Sequence, residues 1–102
     1  IINDRIAIAK GSPYMVYRRE DIAKIADTLL FFNDIEASFV IAKTTSKTIS
    51  ISGRSLGNYD ISTILTPLGG GGNKTVGATR ISDSTISKVE TKLKQILKKE
   101  EE

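Results

Sequence analysis

The chain has 102 residues, 39% hydrophobic and 26% charged, enough for one domain around one modest core. It contains no cysteine and no histidine, which excludes disulfides, thiol nucleophiles and thiolate metal sites and removes the commonest general base and metal ligand. The net charge of +3 is no polybasic patch; it suits a phosphate-bearing small molecule or a short oligonucleotide better than a long duplex.

Catalysis by this chain alone would rest on carboxylates, lysines or hydroxyls. No pair among Asp21, Asp27, Asp34 and Asp60 has a spacing that argues for a metal or an acid–base couple; they read as caps and solvated positions. The longest apolar run, Leu29 to Phe32, is too short to cross a membrane. No apolar stretch follows a basic start, so no signal peptide is expected. The chain begins Ile1-Ile2 without methionine, which reads as a fragment of a longer protein.

In chain order, "RIAIA" (5–9) predicts a strand, broken by "KGSPY". From Glu20, Ile22, Ile25, Ala26, Leu29, Leu30 and Phe32 share one helical face, with Asn33 and Asp34 as the stop. "EASFVIAK" (36–43) is strand-like. "KTISISGRS" (47–55) alternates strictly, with Ile49, Ile51 and Gly53 on one face and Ser50, Ser52 and Arg54 on the other. The polar "TTSK" between them predicts a hairpin. Asp60 caps a second helix with Ile61, Ile64, Leu65 and Leu68 inward. Pro67 is awkward in its last turn, and Gly69 ends it. "VGATRI" (76–81) predicts a strand. Ser82 or Asp83 caps a third helix with Ile86, Val89, Leu93, Ile96 and Leu97 inward, and "KKEEE" reads as a frayed end. The order β-α-β-β-α-Gly loop-β-α predicts an α/β (α+β) fold, a mixed sheet with packed helices, as a single domain over 1–102 with its ordered core at about 5–97.

The stretch "LGGGGNKTVGA" (68–78) carries the chemistry. Four glycines in a row are entropically unfavourable in a compact chain. One reading is a phosphate cradle: successive N–H groups of Gly70, Gly71 and Gly72 turn into one hollow, with the Asn73 amide and the Lys74 charge at its rim. Each hydrogen bond to a charged group contributes roughly 1.5–3 kcal/mol. The other reading is a flexible hinge. A Walker A loop is excluded, because Leu68 and Asn73 stand where its glycines belong. A dinucleotide fingerprint is excluded, because this loop leaves a helix and enters a strand rather than the reverse. Arg54, with Ser55 beside it in "GRSLGN", offers a planar fork to a phosphate; a solvated arginine at a strand end is the alternative. Tyr59 is read either as a partly buried aromatic or as a base-stacking one.

"ISGRSLGNYDISTILTPLGGGGNKTVGA" (51–78) resembles the DHH-associated domain at the C-terminus of DHH-superfamily phosphoesterases, which carries a strand ending in Arg-Ser, a short helix and a Gly-Gly-Gly-His loop. "IADTLL", "EASFVIAK", "GRSLGN" and "LGGGGNKTVGATRISD", in that order, are most similar to the cyclic di-AMP phosphodiesterases of the GdpP type, over about residues 5 to 97. The resemblance implies a substrate-binding lobe that is not itself catalytic. Arg54 and Ser55 would contact the nucleotide, and Gly70, Gly71 and Gly72 would cradle its phosphate. Manganese would sit in a preceding N-terminal DHH domain of the same chain. The ligand would be cyclic di-AMP or a linear dinucleotide. Such proteins are membrane-anchored with the enzymatic part in the cytoplasm, and an open sheet edge is compatible with a homodimer. Asn73 departs from the family, standing where it has histidine; losing a charge-assisted contact there would cost roughly 1–3 kcal/mol. Two alternatives stay open: a lobe for short oligonucleotides, as in nanoRNases or RecJ-like exonucleases, and a non-catalytic nucleotide sensor.

Overall fold

The computed structural model describes residues 4–100. Its elements are β1 (Ile6–Lys10), α1 (Arg19–Leu29), β2 (Ala37–Thr45), β3 (Thr48–Ser55), α2 (Ile61–Leu65), a 3-10 turn (Thr66–Leu68), β4 (Gly71–Gly72), β5 (Val76–Ser82) and α3 (Ile86–Glu100). One sheet holds all five strands in the order β1-β2-β3-β5-β4. β1 and β2 are parallel, as a strand–helix–strand unit requires, and every other pair is antiparallel. The mixed sheet with packed helices expected from the sequence is the fold observed.

The helices divide between the two faces. Ile22 and Ala26 of α1 pack on Val40 and Ala42 of β2. On the other face, Ile61, Ile64 and Leu65 of α2 and Val89, Leu93 and Leu97 of α3 close over Phe39, Ile41, Ile49 and Ile51. Covered on both faces, β2 reads as a continuous buried run from Ala37 to Ala42. β5 keeps its alternation, with Gly77 and Thr79 buried and Val76, Ala78 and Arg80 exposed. The α1 face of the sheet is therefore bare beyond β3.

Several boundaries differ from expectation. α1 ends at Leu29, and Phe31 and Phe32 are exposed at 84% and 60%. Their amides bond three residues back, to Thr28 and Leu29, and Asp34 then turns left-handed with φ 68°. The chain leaves α1 in a tight turn, so the face that buried Ala26 does not continue. Ile25, also expected inward, is exposed. The β2–β3 hairpin is tighter than expected, because Thr45 pairs with Thr48 and only Ser46 and Lys47 form its tip. α3 is capped by Thr85, whose Oγ1 accepts from the Lys88 amide; Ser82 still belongs to β5, and Asp83 is left-handed with φ 55°. α3 extends through Lys98 and Lys99 to Glu100, and the rest of "KKEEE" lies outside the described residues.

Asp60 caps α2 as expected, its Oδ1 accepting from the Thr63 amide at 3.2 Å. The proline conflict is resolved by a change of helix type. Pro67 sits at the start of the 3-10 turn, where a missing donor is harmless, and Gly69 closes it at φ 81°.

Candidate functional site

The glycine loop forms a short edge strand. Gly71 pairs with Ala78 and Gly72 with Gly77, so β5 lies between β4 and β3. The amides of Gly69, Gly70 and Asn73 bond to the carbonyls of Thr66, Leu65 and Val76. Of the three amides expected to line a hollow, that of Gly70 closes the fold instead, on Leu65 O. The flexible-hinge reading fails on the same hydrogen bonds.

Three glycines are required by the backbone or by close neighbours. Gly69 is left-handed. A Cβ on Gly70 would lie 2.4 Å from Thr79 Cβ and 2.6 Å from the Ala78 carbonyl. Gly72 has φ +142°, and its Cβ would fall 2.2 Å from the Val76 carbonyl. Gly71 is different: a Cβ there meets no atom within 4 Å. Paired residues share a sheet face, so that open space lies on the same face as Ala78, beside α1.

That face is a groove of about 420 Å³. Ser50 and Ser52 of β3 and Ala78 of β5 form its floor, Gly69 to Gly71 one wall, and Arg19 of α1 with Arg80 of β5 its cationic end. By register, Ser52, Ala78 and Gly71 form one cross-strand row of small residues. Arg54 lies on the same face two residues further along β3, roughly 7 Å from Ser52, and pairs with Val76. The sequence reading missed Arg19, Ser52, Ala78 and Arg80. The alternation of β3 and of "VGATRI" carried the signal for the last three, since it places each on the face of Arg54.

The arginine turn and the glycine hairpin are bonded to one another. The Ser55 amide donates to Thr75 O at 2.9 Å, and the Ser55 hydroxyl lies 2.7 Å from Tyr59 O and 3.1 Å from Lys74 O while accepting from the Gly57 amide. Ser55 is 5% exposed, so it ties the two segments together from behind the groove. The Ile61 and Ser62 amides at the start of α2 donate to the carbonyls of Lys74 and Asn73. Tyr59 packs against the main core, the partly buried reading of that side chain.

Asn73 builds its own turn. Its Oδ1 accepts from the Thr75 amide at 3.0 Å, the Thr75 hydroxyl at 3.3 Å and the Val76 amide at 2.9 Å. Two backbone donors on one atom fix the amide's orientation, so Nδ2 is the end left to donate. Lys74 is exposed at the tip and has no ion-pair partner among the described residues. Arg54 is 14% exposed. Its Nε donates to Asp27 Oδ1 at 2.8 Å and its Nη1 to Gly53 O at 2.8 Å. Both Nη2 protons and one on Nη1 have no partner among the described residues.

Among the described residues, no group of three or more Asp, Glu, His or Cys comes together to hold a metal ion, so these residues do not fit manganese. No helix among them is long and apolar enough to cross a membrane.

Fold and groove together define a small mixed-sheet module that presents arginine side chains and glycine backbone on one open face. The chain belongs to the DHHA1 domain family, which matches residues 9–102. It is 44% identical over 92 residues to the cyclic-di-AMP phosphodiesterase GdpP of Geobacillus thermodenitrificans, covering 90% of this chain and 14% of that protein. It is 40% identical over 93 residues to the cyclic-di-AMP phosphodiesterase PdeA of Listeria monocytogenes, covering 91% of this chain and 14% of the relative. The chain thus spans about a seventh of the curated relatives it matches. An exopolyphosphatase-related protein from Bacteroides fragilis shares the fold, with a TM-score of 0.70 at 20% identity over 81% of this chain and 24% of that one.

Proposed function

We propose that this chain is the substrate-binding lobe of a cyclic di-AMP phosphodiesterase. The observation that carries the reading is the hydrogen-bonded union of "GRS" and "NKT", which sets Arg54 and Asn73 on either side of Val76 in a chain 44% identical to a GdpP protein. The terminal edge of the Arg54 guanidinium forms a fork to one phosphate. Asn73 Nδ2 donates from the opposite side, Lys74 adds a point charge, and Gly70 to Gly72 let the ligand approach the backbone. With asparagine in the histidine position, this contact is a neutral donor that neither ionises nor transfers a proton. Hydrolysis itself belongs to a preceding DHH domain, where manganese would activate water. The protein carrying this lobe is anchored in the membrane with the lobe in the cytoplasm.

The test is a titration of the isotopically labelled chain with cyclic di-AMP and with its linear product pApA, following backbone amides, with Arg54→Ala as control. Saturable shifts at Arg54 and Gly70 to Gly72 that vanish in the control are expected. No shift at millimolar ligand would overturn the reading for this lobe. The groove also continues beyond Ser52 to Arg80 and Arg19, which favours a second reading, a lobe for short oligonucleotides. A trinucleotide binding more tightly than pApA, and losing that gain in Arg80→Ala, would select it.

A further inference from the structure

Arg54 is held before any ligand arrives, and the group that holds it comes from the other side of the sequence. We infer that Asp27 is a positioning residue for Arg54: its carboxylate takes the Nε edge of the guanidinium, so that the terminal edge stands ready for a phosphate. This rests on the reading of Arg54 as a phosphate ligand.

The clamp has a rigid post. Asp27 follows Ala26, which is fully buried against β2. The Ala26 carbonyl accepts from Ser38 Oγ at 2.7 Å, and Ser38, itself fully buried, is the cross-strand partner of Arg54. The helix turn bearing Asp27 is thus fastened to the strand beside Arg54. The Gly53 carbonyl fixes Nη1 from the second side. An arginine with two of its donors seated on fixed acceptors has little rotamer freedom left to lose on binding.

The exposures separate this role from a purely stabilising one. The Asp27 side chain is 59% exposed and that of Arg54 is 14%. A carboxylate that open to water adds little to fold stability through an ion pair. Its negative charge also opposes an incoming phosphate, so charge attraction to the ligand cannot be its contribution. What remains is orientation.

The inference makes Asp27→Asn and Asp27→Ala differ. Asparagine keeps an acceptor for Nε and removes the charge, whereas alanine removes both. Apparent Kd for pApA would be measured by amide titration in the chain with each substitution, alongside Arg54→Ala and the double variant. Asp27→Ala is expected to weaken binding by roughly three- to tenfold, the cost of ordering one arginine side chain on binding instead of beforehand. Asp27→Asn is expected to bind as well as the wild type or better. In the double variant, Asp27→Ala is expected to add nothing to Arg54→Ala. The Arg54 Nε–Hε resonance, slow to exchange in the wild type and in Asp27→Asn, should broaden in Asp27→Ala with thermal stability unchanged.

Wild-type affinity in Asp27→Ala, beside a clear loss in Arg54→Ala, would overturn the positioning role and leave the proposed function standing. Losses that multiply in the double variant would overturn it too. An Arg54→Ala chain that binds pApA like the wild type would overturn both.

Discussion

Gly71 is the glycine to substitute first, because the backbone gives it no reason to be glycine. A methyl group there meets nothing within 4 Å, and its φ is not in the left-handed region. Gly71→Ala should therefore raise stability by about 0.4–1 kcal/mol, through the lost freedom of the unfolded chain. Gly70→Ala places a methyl 2.4 Å from the Cβ of buried Thr79, which should cost about 1–3 kcal/mol. Gly72→Ala combines a backbone collision at 2.2 Å with φ +142°, at a cost of about 1–3 kcal/mol or more. Each kcal/mol moves Tm by roughly 4–8 °C in a domain of this size, so thermal melts resolve the ranking. Binding should run the other way for Gly71. Its methyl would project into the groove, against the ligand position proposed beside β4, weakening pApA by roughly tenfold or more. The assay pairs urea unfolding with the amide titration. A Gly71→Ala chain destabilised by more than about 1 kcal/mol would refute the packing argument. One that is stable and binds as the wild type does would refute the claim that a ligand occupies the space.

Other substitutions test separate parts of the site. Asn73→Asp keeps an acceptor for Thr75 and Val76 but replaces the free donor with a negative oxygen; stability should stay within about 0.5 kcal/mol, while pApA binding falls roughly tenfold or more. Equal affinity by calorimetry would remove Nδ2 from the contact. Ser55→Ala strands the Gly57 amide and removes the hydroxyl's tie between the arginine turn and the hairpin, leaving the Ser55 backbone bond to Thr75 O, for a loss of about 1–3 kcal/mol in urea unfolding; an unchanged midpoint would show that the hydroxyl tie is dispensable. Glu90 is held below the usual glutamate range by hydrogen bonds from Lys10 and then Lys94. A carboxylate with a depressed folded pKa stabilises above its unfolded value of ~4.3 and loses that contribution as pH falls through the lower folded one. Glu90→Gln should therefore lower stability by up to about 1 kcal/mol at pH ~7 and by less at pH ~3, which lies below the unfolded value, so that part of the contribution is already lost. The same deficit at both pH values would contradict the ionic origin.

Much of the fold was legible because local chemistry dictates local form. Alternation in "KTISISGRS" marked β3, and the i, i+3, i+4 spacing of Ile61, Ile64 and Leu65 marked α2, with Asp60 as its cap. The misread boundaries are places where tertiary packing outweighed composition. Phe31 and Phe32 continued an apolar pattern beyond the point where α1 leaves the sheet. Asp83 resembled a cap but sits in a left-handed turn before Thr85. Asp27 looked like any solvated helix carboxylate, because its partner lies on another element and no periodicity links the two.

The sequence by itself determined the three helices and four of the five strands, in order, and that Arg54 and the glycine run, which it read as a loop, are the residues to explain. The tertiary structure decided what those residues face. Placing β5 between β3 and β4 brings the Arg54 turn and the Asn73 hairpin into hydrogen-bonding reach, and leaving the α1 face bare beyond β3 opens the groove. Strand order is set by which edges pair across the whole chain and bury the most apolar surface. No local pattern encodes that choice, so the convergence of the site belongs to the folded molecule.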